Sequence, residues 1–173
     1  MQLENPILKK AAAANRPTIM GTRHVIAAGH YLAAHAGFEI LEAGGNAVDA
    51  GVAAGIAVGV LQTDKVNFGG VAPLIVYLAK KRAIHCIDGL GVWPQAVTPD
   101  FFMKHHGGKI PAGVLRSVVP AAPDAWITAL ARFGTMTFGE VAAAAIRFAR
   151  EGFPMYPLMS EFIKDNRASY ARW

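Results

Sequence analysis

The sequence predicts an α/β fold, and three observations carry that prediction. Apolar residues make up 53% of the 173-residue chain and charged residues 17%, a balance that excludes disorder and supplies a sizeable core. Apolar side chains recur at helical spacing in several segments. Two apolar runs, Leu74–Leu78 and Ala83–Ile87, flank Lys80-Lys81-Arg82 in the pattern of a β-hairpin with a charged tip. The 32 alanines and 18 glycines sit inside apolar runs, where low side-chain volume lets helices approach one another and a sheet closely.

Residues 1–22 are polar, proline-containing and aperiodic, an extended lead-in to a folded unit over 23–173. His24–Ala28 reads as a short buried strand broken by Gly29. Tyr31–Ala43 has helical spacing and runs into Gly44-Gly45, where glycine ends a helix in a left-handed cap at least steric cost. Asn46 is a good N-cap for the next helix, Ala47–Leu61, and Asp49 places a carboxylate in its first turn, where the helix dipole favours it. That role alone accounts for Asp49. The helix is apolar on every side, with Gly51, Gly55 and Gly59 forming a smooth face along which another backbone can lie, so deep burial is expected.

Val66–Gly70 reads as a glycine-containing loop. Both hairpin arms are nearly all apolar, which predicts a sheet covered on both faces. Further on, Pro99–His106 is a short helix and Leu115–Val119 a short strand. Pro123–Phe133 and Phe138–Arg150 are helices, the latter opened by the capping box Thr137-x-x-Glu140. Pro157–Trp173 begins another helix, inside which the sequence stops.

Charge narrows the function classes. Lys plus Arg number 17 against 12 Asp plus Glu, a net charge of +5, yet no Lys or Arg lies between His24 and Asp64. A basic stripe interleaved with aromatics, the mark of a nucleic-acid binder, is absent from the sequence. The longest apolar run, Ala47–Leu61, carries Asp49 and is shorter than the ~20 residues that cross a bilayer. Met1–Thr22 does not read as a secretory signal, because Glu4 and Lys9-Lys10 interrupt the required pattern, so a cytoplasmic protein is expected. The single cysteine, Cys86, excludes an internal disulfide. It sits in an apolar arm and reads as a small core residue rather than a nucleophile.

Cofactor and metal signals are weak. Gly89-x-Gly91 lacks a third glycine and runs into Pro94, which breaks the dinucleotide fingerprint, and Gly69-Gly70 lacks the Lys-Ser/Thr of a phosphate-binding loop. His24, His30 and His35 are not spaced to share a helical face, and no closed zinc site is expected. No cofactor is predicted. Among the acids, Asp88 ends a buried arm before a glycine-rich loop and is the better candidate for a pocket wall, against the plainer reading that it bonds loop amides.

The run Leu41-Glu42-Ala43-Gly44-Gly45-Asn46-Ala47-Val48-Asp49-Ala50 resembles the gamma-glutamyltransferase (gamma-glutamyltranspeptidase) family. The resemblance continues through Phe68-Gly69-Gly70 and the hairpin, Ser117-Val118-Val119-Pro120, Arg132-Phe133-Gly134-Thr135, and Ala145 through Pro154, so it spans about residues 22–160. It implies part of an αββα sandwich of the N-terminal-nucleophile hydrolase type. Such precursors cut themselves to free a threonine whose own amine is the general base; that threonine attacks a gamma-glutamyl amide such as glutathione, and the acyl-enzyme passes to water or an amino acid.

Two departures follow from the resemblance. The family's nucleophile lies in the small subunit, beyond Trp173, and Thr18, Thr22, Ser117 and Thr137 carry no match to its motif. This chain is therefore expected to be a fragment, inactive alone, whose partner is the missing small-subunit part of the same precursor. Second, the family places an Asp-Phe-Arg-Glu string after the second hairpin arm, and its Arg grips the substrate α-carboxylate; here the residues are Asp88-Gly89-Leu90-Gly91. Leu90 offers no forked donors. Asp88, Gly89 and Leu90 are thus the candidate substrate-binding residues, with no catalytic and no metal-binding residue in the chain. The alternatives are an amidase for a different acyl group, with Leu90 lining an apolar pocket, and a non-catalytic scaffold or binding protein.

Overall fold

A computed structural model describes residues 18–172. Most of the expected lead-in, residues 1–17, lies outside the described residues, as does Trp173. The regular elements are α1 (Tyr31–Glu42), α2 (Ala47–Leu61), β1 (Leu74–Leu78), β2 (Ala83–Ile87), α3 (Pro99–His106), α4 (Ala122–Phe133), α5 (Phe138–Glu151), α6 (Pro157–Asp165) and α7 (Arg167–Tyr170). Helix α2 is the centre of the packing: α1, α4 and α5 all lie against it, and β2 touches α4.

The α1–α2 junction follows the glycine pair. Gly44 takes φ +94°, and the Gly45 and Gly44 amides donate to the Ile40 and Leu41 carbonyls at 2.9 and 3.2 Å, the reciprocal bonds of a Schellman cap. Asn46 then starts α2, with its side chain accepting from the Val48 and Asp49 amides while Asp49 accepts from the Asn46 amide. The two helices cross closely because Gly37 leaves room; a Cβ there would lie 2.8 Å from the Ala50 carbonyl oxygen and 3.3 Å from Ala54 Cβ. Along α2, Gly59 meets the Phe68 backbone as the smooth-face reading requires, Gly55 lies under the Trp126 indole, and Gly51 faces open space.

The carboxylate of Asp49 does more than cap a helix, which corrects the reading from sequence. It is fully buried. Beyond the Asn46 amide at 2.8 Å it accepts the Thr135 amide at 2.9 Å, the Thr135 hydroxyl at 2.7 Å and the Met136 amide at 3.2 Å. Asn46 Nδ2 donates to the Phe133 carbonyl at 2.7 Å. The start of α2 is thereby pinned to the turn between α4 and α5. Gly134 is obligatory in that turn, because a Cβ would sit 2.6 Å from Asp49 Oδ1.

Four further expectations are corrected. His24–Ala28 alternates between half-buried and exposed, but it joins no ladder among the described residues. Leu115–Val119 is not a strand: Val114–Arg116 forms a 3-10 turn, because Gly113 at φ +106° lets the chain curl before Pro120. Sheet coverage is one-sided. The hairpin pairs Ile75 with Cys86 and Tyr77 with Ile84, and Ile75, Tyr77 and Ile84 are 79, 61 and 68% exposed. Cys86 shares that open face and is exposed rather than a core residue. Apolar composition on both arms reports what the sheet is made to bury, not what these residues bury by themselves.

Burial pushes the Asp49 carboxyl up, but the Thr135 hydroxyl and the Asn46, Thr135 and Met136 amides outweigh it and hold the group below its ordinary value of 3.8. Its stabilising contribution is therefore complete above about pH 4 and lost as pH falls through the lowered native value. Asp49→Ala leaves these donors buried without a partner and is expected to cost roughly 3 kcal/mol or more in urea unfolding. Asp49→Asn is expected to flatten the acid limb of stability below about pH 4, measured as the urea midpoint against pH.

Candidate functional site

The segments before and after the hairpin converge on the N-terminus of α4. The Gly70 carbonyl accepts from the Ala121 and Ala122 amides at 3.2 and 3.1 Å, the Gly89 carbonyl from the Ala72 amide at 2.8 Å, and the Val92 carbonyl from the Val119 amide at 2.8 Å. Three stretches distant in sequence, Phe68–Gly70, Asp88–Val92 and Ser117–Ala122, thus form one backbone-bonded cluster. Helix α4 lends its orphan N-terminal amides to it.

Both glycines of Asp88-Gly89-Leu90-Gly91 are required by that geometry. Gly89 has φ +57° and Gly91 φ +77°; a Cβ on either would lie 2.2 Å from a carbonyl oxygen, of Ala72 and Val119 respectively. Leu90, held between two left-handed glycines, is 50% exposed. Asp88 is exposed, and its carboxylate takes part in none of the side-chain hydrogen bonds found among the described residues. The plainer reading, in which Asp88 bonds loop amides, is not what the structure shows. Asp88 and Leu90 are both exposed, directly after the second hairpin arm.

Neither of the two apolar cavities beside the hairpin is lined by these residues. One, of about 520 Å³, lies between the first turns of α2 and β1, with Val48, Val52, Leu74, Val76, Leu78 and Phe133 on its walls. The other, of about 370 Å³, separates Ile26–Gly29 from Leu74 across the glycine face of α2.

Four of the histidines are engaged in pairing or packing. His24 Nε2 lies 2.9 Å from Glu42, and His35 Nε2 lies 3.2 Å from Glu39; His105 and His106 pack on Phe101. His85 lies under the hairpin against Phe133, with its Nε2 buried and unbonded. Thr137 is engaged as the cap of α5, with Glu140 accepting from its amide and hydroxyl at 2.7 Å. No group of three or more His, Cys, Asp or Glu among the described residues is placed to hold a metal ion. None of their helices is long and apolar enough to cross a membrane.

Sequence reasoning missed two residues that shape this region. Gly134, in the quoted Arg132-Phe133-Gly134-Thr135, is the contact point for Asp49; its place in a short loop directly before a capping box was the available signal. Trp126, on α4, supports the glycine loop, with its ring 5.3 Å from that of Phe68. Only an aromatic on the buried face of a helix announced it.

With this geometry in view, the comparisons with known proteins define the class. A sequence profile described as Gamma-glutamyltranspeptidase matches residues 33–172. The chain is 37% identical over 162 residues to the Acylase ACY 1 proenzyme of Pseudomonas sp. (strain V22), covering 88% of this chain and 29% of that protein. It is 30% identical over 158 residues to the Glutathione hydrolase proenzyme of Bacillus subtilis (strain 168), covering 88% of this chain and 27% of that one. The crystal structure of Helicobacter pylori gamma-glutamyltranspeptidase superposes with a TM-score of 0.83 at 26% identity, over 91% of this chain and 46% of the other. Cephalosporin acylase from Bacillus halodurans gives a TM-score of 0.75 at 30% identity, over 92% of this chain and 31% of the other.

The fold is therefore the α/β fold shared by gamma-glutamyltranspeptidases and this acylase. The chain belongs to the gamma-glutamyltranspeptidase family, and it spans less than a third of the length of the curated relatives it matches.

Gly89→Ala and Gly91→Ala are each expected to lower stability by about 2 kcal/mol or more, since each combines a left-handed backbone with a carbonyl clash. Leu90→Ala, between them and half-exposed, is expected to stay within about 1 kcal/mol. Thermal melts of the three variants check this ordering.

Proposed function

We propose that this chain is the opening part of an N-terminal-nucleophile acyltransferase or amidohydrolase, one that transfers or hydrolyses gamma-glutamyl or related acyl amides. It supplies the scaffold and one wall of the acyl pocket, at Asp88, Gly89 and Leu90. The nucleophile belongs to the small-subunit part of the same precursor. The observation that carries this reading is the convergence at α4, where two of the segments that carry the family resemblance, Phe68–Gly70 and Ser117–Pro120, meet the loop after the hairpin through backbone bonds.

The open hairpin face supports the same reading. Burying an Ile or Tyr side chain contributes about 1.5–3 kcal/mol, so Ile75, Tyr77 and Ile84 together represent several kcal/mol that these residues do not realise alone. The small-subunit part is the proposed cover. The name "proenzyme" borne by the Pseudomonas and Bacillus relatives fits a precursor of this kind.

Leu90 favours a second reading of the substrate. A carboxylate held by forked guanidinium donors gains about 1.5–3 kcal/mol per charged bond, and an exposed leucine offers none of it. An acyl group without the gamma-glutamyl α-carboxylate fits Leu90 better, and the 37% identity to a protein named an acylase points the same way.

The isolated chain is expected to release no 4-nitroaniline from gamma-glutamyl-4-nitroanilide; turnover above background overturns the assignment of the nucleophile to another part. In the complete precursor, Leu90→Arg is expected to raise kcat/KM for that anilide about tenfold or more if gamma-glutamyl is the acyl group. An unchanged value favours the different acyl group.

A further inference from the structure

His30 is a helix cap that works only when neutral. The Leu32 amide donates to His30 Nδ1 at 3.2 Å, so that nitrogen carries the lone pair and the ring proton sits on Nε2. The residue is 6% exposed. Its ring stacks on Tyr31 at 4.7 Å between centroids and lies 5.8 Å from the ring of Tyr156. Tyr156 is the residue from which α6 starts, and its hydroxyl donates to Asp64 Oδ1 at 2.8 Å.

The segment from Tyr156 to Tyr170 is a lightly attached arm. Its one buried residue is Met159, and its side-chain hydrogen bond to the body among the described residues is that from Tyr156 to Asp64. Lys65, whose Nζ lies 3.6 Å from Asp64 Oδ2, adds a cation over the Phe162 ring at 5.2 Å. Leu158 and Tyr170 are exposed. The titratable or charged groups around His30 are thus Tyr31 on its own helix, Tyr156 on the arm, and Asp64 and Lys65 on the turn after α2. Gln62 on that turn is neutral and donates to the Gly29 carbonyl at 3.3 Å.

We propose that His30 is a proton-operated latch, whose protonation releases the α6–α7 arm from the start of α1 and the turn after α2. A proton on Nδ1 sets an N–H against the Leu32 N–H and places a cation in a buried site. The ring must turn outward, and in doing so it leaves the face of Tyr156. Burial holds the group below its ordinary value of 6.5, which fixes the sign: the latch is closed above about pH 6.5 and opens as pH falls through the lowered native value.

Hydrogen exchange of the 173-residue chain between pH 8 and pH 5, with protection factors corrected for intrinsic rates, tests this. Amides of α6 and of the first turn of α1 are expected to lose protection by up to tenfold per pH unit below the onset, the limit for one proton. Amides of α5 are expected to hold theirs. His30→Asn keeps an N-cap without a titrating ring and is expected to make the arm's protection independent of pH. Tyr156→Phe is expected to lower it at every pH. Arm protection that ignores pH in the unaltered chain, a uniform loss that includes α5, or a His30→Asn variant with the original pH dependence would each overturn the latch.

Discussion

The buried carboxylate of Asp49 is the constraint on which the rest of this structure depends. A charge removed from water is tolerated only when donors surround it. Here the donors come from two places far apart in sequence: the Asn46 amide at the start of α2, and the Thr135 and Met136 groups between α4 and α5. One residue therefore fixes the first turn of the central helix and the angle at which α4 enters the core. Gly134 has no Cβ because that oxygen occupies the space.

The loop cluster inherits its position from this anchor. Helix α4 ends at the Asp49 turn and begins at Ala122, where its amides hold Gly70. The hairpin is bonded to the same cluster through Gly89 and Val92. A chain of short contacts thus runs from a buried capping box, along a helix, to the glycine pair that displays Leu90. The backbone there takes two left-handed glycines packed close to the Ala72 and Val119 carbonyls, while Asp88 and Leu90 are exposed.

Local signals in the sequence translated well into structure. The caps at Asn46 and Thr137, the Gly44 stop and the hairpin are short-range chemistry, and each forms where the residues place it. Several readings that depend on distant partners failed. His24–Ala28 has the composition of a strand but no ladder among the described residues. Cys86 looked like core because both hairpin arms are apolar, yet only one face finds a helix beneath it. Asp49 looked like a cap because its tertiary donors lie more than eighty residues away. For the candidate site, the Gly-x-Gly spacing was legible, but the carbonyls that make those glycines necessary belong to Ala72 and Val119 and carry no sequence signature.

A double-mutant cycle between Asp49→Asn and Thr135→Val reads the anchor directly, because it isolates the energy shared by a carboxylate and a hydroxyl that lie 86 residues apart. A coupling of about 1 kcal/mol or more, from urea unfolding of the four proteins, is the predicted result. Additive effects with coupling near zero would contradict it.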